Sequence, residues 1–308
     1  MTAWRFDQGR LDYFQFDEIK RMAVALADID GIPKPTVNSD VLRHALAAHS
    51  ARPFAPNTYT VWRNYKRVFG CALLAAEVAG KIVCTDVCKQ LANQPEDVDA
   101  DDYLGHFVTH FYYPSPVFEG YRPVGTQIFP AVAILKLLLS KYLFAGTGSV
   151  TLSEIAERLI GNNVTGLEDI SFYAKLQPKK VDADMRQLRE LARFISQLTF
   201  LKWGNASLYL EVESKVEAAQ LVELLPPKIL PRNQDAGAEV LNLGANFQGA
   251  NKTSVKDIVG LCPSCHRATH KYYGSWFKAN RVKDFRSYDE ARHVYAEARR
   301  SIVLVEAA

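Results

Sequence analysis

The sequence predicts an α+β protein that is mainly helical and carries small β-hairpins. Three observations predict it. Apolar residues recur every three or four positions through most of the first 200 residues, the mark of amphipathic helices. One short β-like pair, residues 200–203 and 208–212, flanks the turn residues 204–207. A Cys-x-x-Cys bend, Cys262 to Cys265, opens a final segment unlike the rest. At 308 residues the chain has room for two or three domains and a sizeable core. We divide it into a helical domain over 1–145, helix-turn-helix-like in its order of helix, short strand and capped helix, a winged-helix-like domain over 146–243 and a metal-binding module over 244–308.

Composition excludes several classes. With 48% hydrophobic and 23% charged residues the chain is neither disordered nor collagen-like. Five cysteines, an odd number in a long chain, argue for free or metal-bound thiols rather than a disulfide framework, and so for the cytoplasm. No signal peptide is evident, and no membrane partner is expected. The net charge of +3 is unevenly placed: residues 245–308 hold 11 Lys and Arg against 6 Asp and Glu. That excess points to a polyanion contacted by the end of the chain.

The elements follow in order. Phe14, Phe16, Ile19, Met22, Ala23, Leu26 and Ile29 give a helix closed at Gly31-Ile32-Pro33. A second helix over 57–77 has Tyr59, Trp62, Tyr65, Val68, Phe69, Ala72, Leu73 and Ala76 on one stripe, with Arg63, Lys66 and Arg67 away from it. Ile82-Val83-Cys84 reads as a strand, and Thr85 as the N-cap of a helix over 86–91. His106 and His110, four apart, share a helix face; their aromatic surroundings favour packing over metal binding. Residues 129–145 are apolar but broken by Lys136 and Lys141, and predict a buried helix rather than a membrane span.

Thr151-Leu152-Ser153-Glu154 is a capping box. A longer helix follows from Asp182, with Met185, Leu188, Leu191, Ala192, Ile195 and Leu198 on its apolar face, and then the hairpin. Helix, turn, helix, hairpin is the order of a winged helix, in which one helix can enter the major groove of DNA. Lys179, Lys180, Arg186, Arg189 and Arg193 would then meet phosphates, with Arg186 and Arg189 as the candidate DNA contacts. The alternative is a solvated face paired with Asp182, Asp184 and Glu190. Residues 213–251 lose periodicity and read as a linker or irregular segment.

The sharpest chemistry lies in Cys262-Pro263-Ser264-Cys265-His266-Arg267-Ala268-Thr269-His270. Two thiolates three residues apart suit one tetrahedral ion, usually zinc, and His266 and His270 fall on one face of a following helix. Cys262, Cys265 and His270 can share an ion; adjacent Cys265 and His266 hardly can. Around them, Lys271, Lys278, Arg281, Lys283 and Arg286 interleave with Tyr272, Tyr273, Trp276, Phe277 and Phe285, placing cations beside stacking surfaces.

The run from Asp257 to His270 resembles the C-terminal half of an HNH endonuclease, a ββα-metal module, of the zinc-clipped kind found in bacterial restriction and defence enzymes. The resemblance implies a metal-dependent nuclease acting on double-stranded DNA. Cys262 and Cys265 would be half of a structural Zn²⁺ site. His266 and His270 would be the catalytic pair, the first holding a divalent ion such as Mg²⁺ on the scissile phosphate and the second a further ligand or phosphate contact. Double-strand cutting by one site per chain would imply a homodimer.

The match has a gap. No histidine or cysteine lies between Leu201 and Leu261, so the family's first Cys-x-x-Cys and its strand histidine, the general base, are absent from their places. Three explanations stand: a nuclease that has lost its front half; ligands and base supplied by His106, His110, Cys84 or Cys88; or a missing intervening segment. A non-catalytic, zinc-stapled DNA-binding protein is the main alternative function. A third uses Glu211, Glu213 and Lys215 as a fragment of a Glu-x-Lys nuclease core.

Overall fold

The computed structural model describes residues 4, 11–34, 39–50, 61–94 and 98–247. Two compact units divide the chain at Gly249. Residues 248–308, with Cys262, Cys265, His266, His270, Lys271, Lys278, Arg281 and Lys283, lie outside the described residues.

Among the described residues the elements of the first unit open with a 3-10 turn (Leu11–Phe14) and α1 (Phe16–Ala27), whose buried stripe is Ile19, Met22, Ala23, Ala25 and Leu26. Then come α2 (Ser39–His49) and α3 (Val61–Cys71). The predicted helix over 57–77 ends early: Leu73 takes a left-handed φ of 55°, and the Leu74 amide returns to the Phe69 carbonyl. The chain continues as β1 (Ala75–Val78), which pairs antiparallel with β2 (Lys81–Cys84). Ala79 and Gly80, with φ of 49° and 75°, form the two-residue loop that such a hairpin favours. Alanines that fit a helical stripe serve equally well on the buried face of a short strand.

Thr85 caps α4 (Asp86–Asn93) as expected. Its hydroxyl accepts from the Cys88 amide at 3.1 Å and donates to the Leu73 carbonyl at 2.5 Å, tying the helix to the turn before β1. α4 packs on α1. α5 (Ala100–His110) starts with a capping box between Asp99 and Asp102.

At the centre lies α6 (Pro130–Ala145), buried continuously from Pro130 to Ser140. A helix apolar on every side belongs inside. Its one buried cation, Lys136, donates to the carbonyls of Gly166 and Glu168, both at 2.8 Å. Among the described residues no helix is long and apolar enough to cross a membrane.

After α6 come β3 (Ser149–Thr151), α7 (Leu152–Ile155) running into a π-helical turn (Ala156–Ile160), α8 (Ile170–Ala174), α9 (Met185–Ile195), β4 (Leu201–Gly204) and β5 (Ser207–Leu210). The predicted capping box is present: the Thr151 hydroxyl accepts from the Glu154 amide, and the Glu154 carboxylate accepts from that of Thr151. The three strands form an antiparallel sheet in the order β3-β5-β4. α6 packs on β3, β5 and α8, so it belongs to this assembly as much as to α5.

Residues 213–247 are not the irregular linker their composition suggests. They contain α10 (Lys215–Glu223), capped by Ser214 and packed on α6, and α11 (Ala236–Leu243), capped by Asp235 and packed on β1. The approach of α11 requires glycine: a Cβ at Gly237 would stand 2.0 Å from the Glu77 carbonyl oxygen, and one at Gly244 2.5 Å from the Thr85 Cβ. Glu239, fully buried in α11, accepts from the Tyr112 hydroxyl and the Asn233 amide at 2.7 Å and from Asn242 at 3.1 Å. A buried polar group escapes its desolvation cost only when bonded in this way.

Candidate nucleic-acid interface

α9 is set by its own sequence. Asp184 caps it, accepting from the amides of Arg186 and Gln187 at 3.0 and 3.1 Å. Its buried side holds Leu188, Leu191, Ala192, Phe194 and Ile195. Phe194 meets Phe14 and Phe107 edge-on, with centroids 5.1 and 4.7 Å apart. These contacts fix the rotation of α9, leaving Arg186, Arg189 and Arg193, at i, i+3 and i+7, on the exposed side.

The charges on that side are unequal. Arg186 pairs with Glu190 at 3.1 Å, as the solvated-face alternative expected. No ion pair engages Arg189 or Arg193 among the described residues. Lys179 and Lys180 are exposed in the stretch leading into α9, where the Lys179 amide is fixed to the Glu157 carbonyl at 3.0 Å. The hairpin adds exposed Lys202, 3.6 Å from Glu211. Its loop, Asn205 and Ala206 with φ of 48° and 54°, is the shortest a hairpin uses.

α3 has a second basic side. Trp62, Tyr65, Val68 and Phe69 are buried, while Arg63, Lys66 and Arg67 are exposed. The Arg67 guanidinium lies 5.9 Å from the centroid of the Phe118 ring. Sequence reasoning noted these cations without making them a site; the cue was three cations and no acid over residues 61–71.

The distant groups considered as substitute ligands are occupied elsewhere. The His106 and His110 rings stack at 3.8 Å; His106 Nε2 bonds the Leu243 carbonyl and His110 Nδ1 the His106 carbonyl, each at 2.8 Å. Burial, with His110 beside it, lowers His106 to about 4. Burial lowers His110 as well. This is the packing role their aromatic setting favoured. Cys84 and Cys88 are buried, their Sγ atoms against the carbonyls of Leu26 and Ala23. A bond with Cys84, together with burial, pushes the Cys88 thiol well up, opposite to what a thiolate ligand needs. Glu211 pairs with Lys202, and Lys215 donates to the Leu143 carbonyl, so the Glu-x-Lys fragment assembles no acidic cluster. Among the described residues no group of three or more His, Cys, Asp or Glu side chains is placed to hold a metal ion.

No protein-family model matches the chain, and no curated protein matches it. Among solved structures it is similar in fold to the BpuJ1 endonuclease binding domain, in a crystal structure of that domain with pyrene- and phenanthrene-modified DNA. The TM-score is 0.57 at 11% identity, over 80% of this chain and 96% of that one.

Proposed function

We propose that this protein binds double-stranded DNA and that α9 is its groove-facing helix. One observation carries the reading: α9 presents Arg186, Arg189 and Arg193 on one exposed side of an assembly ordered helix, strand, helices, hairpin, with sheet order β3-β5-β4. That is the order of a winged helix, whose last helix can lie in the major groove. The DNA complex of the similarly folded endonuclease binding domain supports it. Arg189 and Arg193 would meet phosphates or guanine edges. Lys179, Lys180 and Lys202 flank them for backbone contact. The test is titration of the purified full chain with assorted duplexes at several salt concentrations. Salt-sensitive binding that Arg189→Glu with Arg193→Glu removes is expected; equal binding by that variant would sink the reading.

A second reading adds catalysis, and the Cys262 to His270 motif favours it. On the HNH resemblance, Cys262 and Cys265 would hold zinc, while His266 and His270 would serve a divalent ion at the phosphate. Thiolate and imidazole donors suit those ions. About one zinc per chain is expected, lost when Cys262 or Cys265 becomes Ser. Duplex cleavage requiring Mg²⁺ or Mn²⁺ and abolished by His266→Ala would support nuclease action; tight binding without cleavage would leave a DNA-binding protein alone.

A further inference from the structure

We propose that the exposed side of α3, formed by Arg63, Lys66 and Arg67, is a second contact surface for the phosphates of the same duplex. The inference rests on the DNA-binding reading of α9. Three cations at i, i+3 and i+4 crowd one side of an 11-residue helix that contains no Asp or Glu. Like charges at this spacing oppose helix formation by a few tenths of a kcal/mol per pair, roughly 0.2–0.5. The helix tolerates them because its other side buries Trp62, Tyr65, Val68 and Phe69, with Tyr65 also packed 5.5 Å from Tyr13.

Some exposed cations elsewhere on the surface have acids at hand, unlike Arg189 and Arg193 of α9. Arg186 has Glu190, Lys34 has Glu77 at 2.8 Å, and Lys89 has Asp30 at 3.3 Å. No ion pair engages Arg63 or Lys66 among the described residues. A cationic cluster on a helix with no acid of its own, held by an aromatic core, is complementary to a polyanion, and duplex DNA offers one charge about every 3.4 Å along each strand.

The placement also repeats. α3 is the third helix after α1 and α2 and is followed at once by the β1-β2 hairpin, just as α7, α8 and α9 precede β4-β5. Both cationic helices therefore stand immediately before an antiparallel hairpin. Exposed Lys81 opens β2, as exposed Lys202 lies in β4.

The experiment compares the full-length wild type, Arg63→Ala with Lys66→Ala, and Arg189→Ala with Arg193→Ala in duplex DNA titrations across salt concentrations. Arg67 is left intact because of its Phe118 contact. If α3 meets phosphates, the α3 variant binds every duplex about tenfold more weakly, and the slope of log K against log salt falls by about 2, near 0.9 per lost phosphate contact. An unchanged slope and affinity in the α3 variant, with the α9 variant weakened, would overturn the inference while leaving the DNA reading intact. Absence of any wild-type binding would overturn both. Should alanine lower the melting temperature, Arg63→Gln with Lys66→Gln repeats the comparison with long polar side chains, and the same slope criterion decides.

Discussion

α9 and α3 are both 11-residue helices with an apolar side against aromatic rings and a basic side outward, but they handle charge differently. α9 carries Glu190 against Arg186 and spends Asp184 on its cap, so part of its positive field is cancelled from within. α3 contains no acid at all. An internal acid fixes the position of a neighbouring arginine and reduces indiscriminate attraction, which on the proposed reading would suit a helix that reads a groove. A cluster with no acid in its own helix would attract any phosphate backbone, which on the proposed reading would suit anchoring. On the proposed DNA-binding reading, the comparison would divide selectivity from grip.

The strongest way to break that division is charge reversal on α9. Arg189→Glu with Arg193→Glu is expected to lower duplex affinity roughly 10³-fold, by removing two contacts and adding repulsion, in a gel-shift or anisotropy titration. A smaller loss there than on reversing Arg63 and Lys66 would exchange the two roles.

The next largest effect separates the regions by stability. α11 packs on β1, behind the α3 hairpin, and Gly237→Ala forces a methyl into the Glu77 carbonyl. We expect about 3 kcal/mol of destabilisation, in the overpacking range. Hydrogen exchange should quicken in β1 and β2 while β3, β4 and β5 keep their protection. Uniform loss through both sheets would mean that the regions unfold as one.

Acidification probes the same seam. His106 is buried neutral, with a folded value near 4 against about 6.5 unfolded, so the unfolded chain takes up the proton first. The stability this histidine contributes is complete above pH 6.5 and is lost as pH falls toward 4. Between pH 6.5 and 5 the loss is about 2 kcal/mol for one such group. Burial of His110, with Lys228 beside it, acts in the same direction. Denaturant titrations of wild type and His106→Gln at both pH values check this: the variant's pH slope should be shallower by about one proton.

Two small effects sharpen the charge argument. Glu190→Gln removes one acid partner of Arg186 and should raise duplex affinity about threefold while blurring discrimination among sequences. Conversely, Asn64→Glu gives α3 the acid it lacks, i, i+3 from Arg67. It should stabilise the helix by a few tenths of a kcal/mol, about 0.3, and weaken DNA binding slightly, read by thermal melting and anisotropy.

Much of this architecture was legible where local chemistry and tertiary burial agree. Thr151 with Glu154, Thr85 before α4, the loop at Asn205 and Ala206, and the apolar run of α6 each have one physical outcome. The α+β class and the basic side of α9 follow from them. The misreadings occur where the determinant is distant. Nothing local at Leu73 demands a left-handed residue; β1 forms because β2 pairs with it and α11 covers it. α10 and α11 are short, and α10 fully buries just Ala218, so neither leaves a periodic stripe. Their caps, Ser214 and Asp235, were the available signal. The grouping of Arg63, Lys66 and Arg67 was visible, but the absence of an ion pair at Arg63 and Lys66 among the described residues required the folded surface.

The return of residues 232–247 has a practical consequence. Glu239 grips Tyr112, the Asn246 amide donates to Asp86 at 2.9 Å, and the Val87 amide donates to the Gly244 carbonyl at 3.1 Å. A backbone cut in the exposed stretch around Leu224 and Ile229 would therefore not free the downstream fragment. The nicked halves would travel together through a sizing column and separate in denaturant, a simple route to isotope-labelling either half alone.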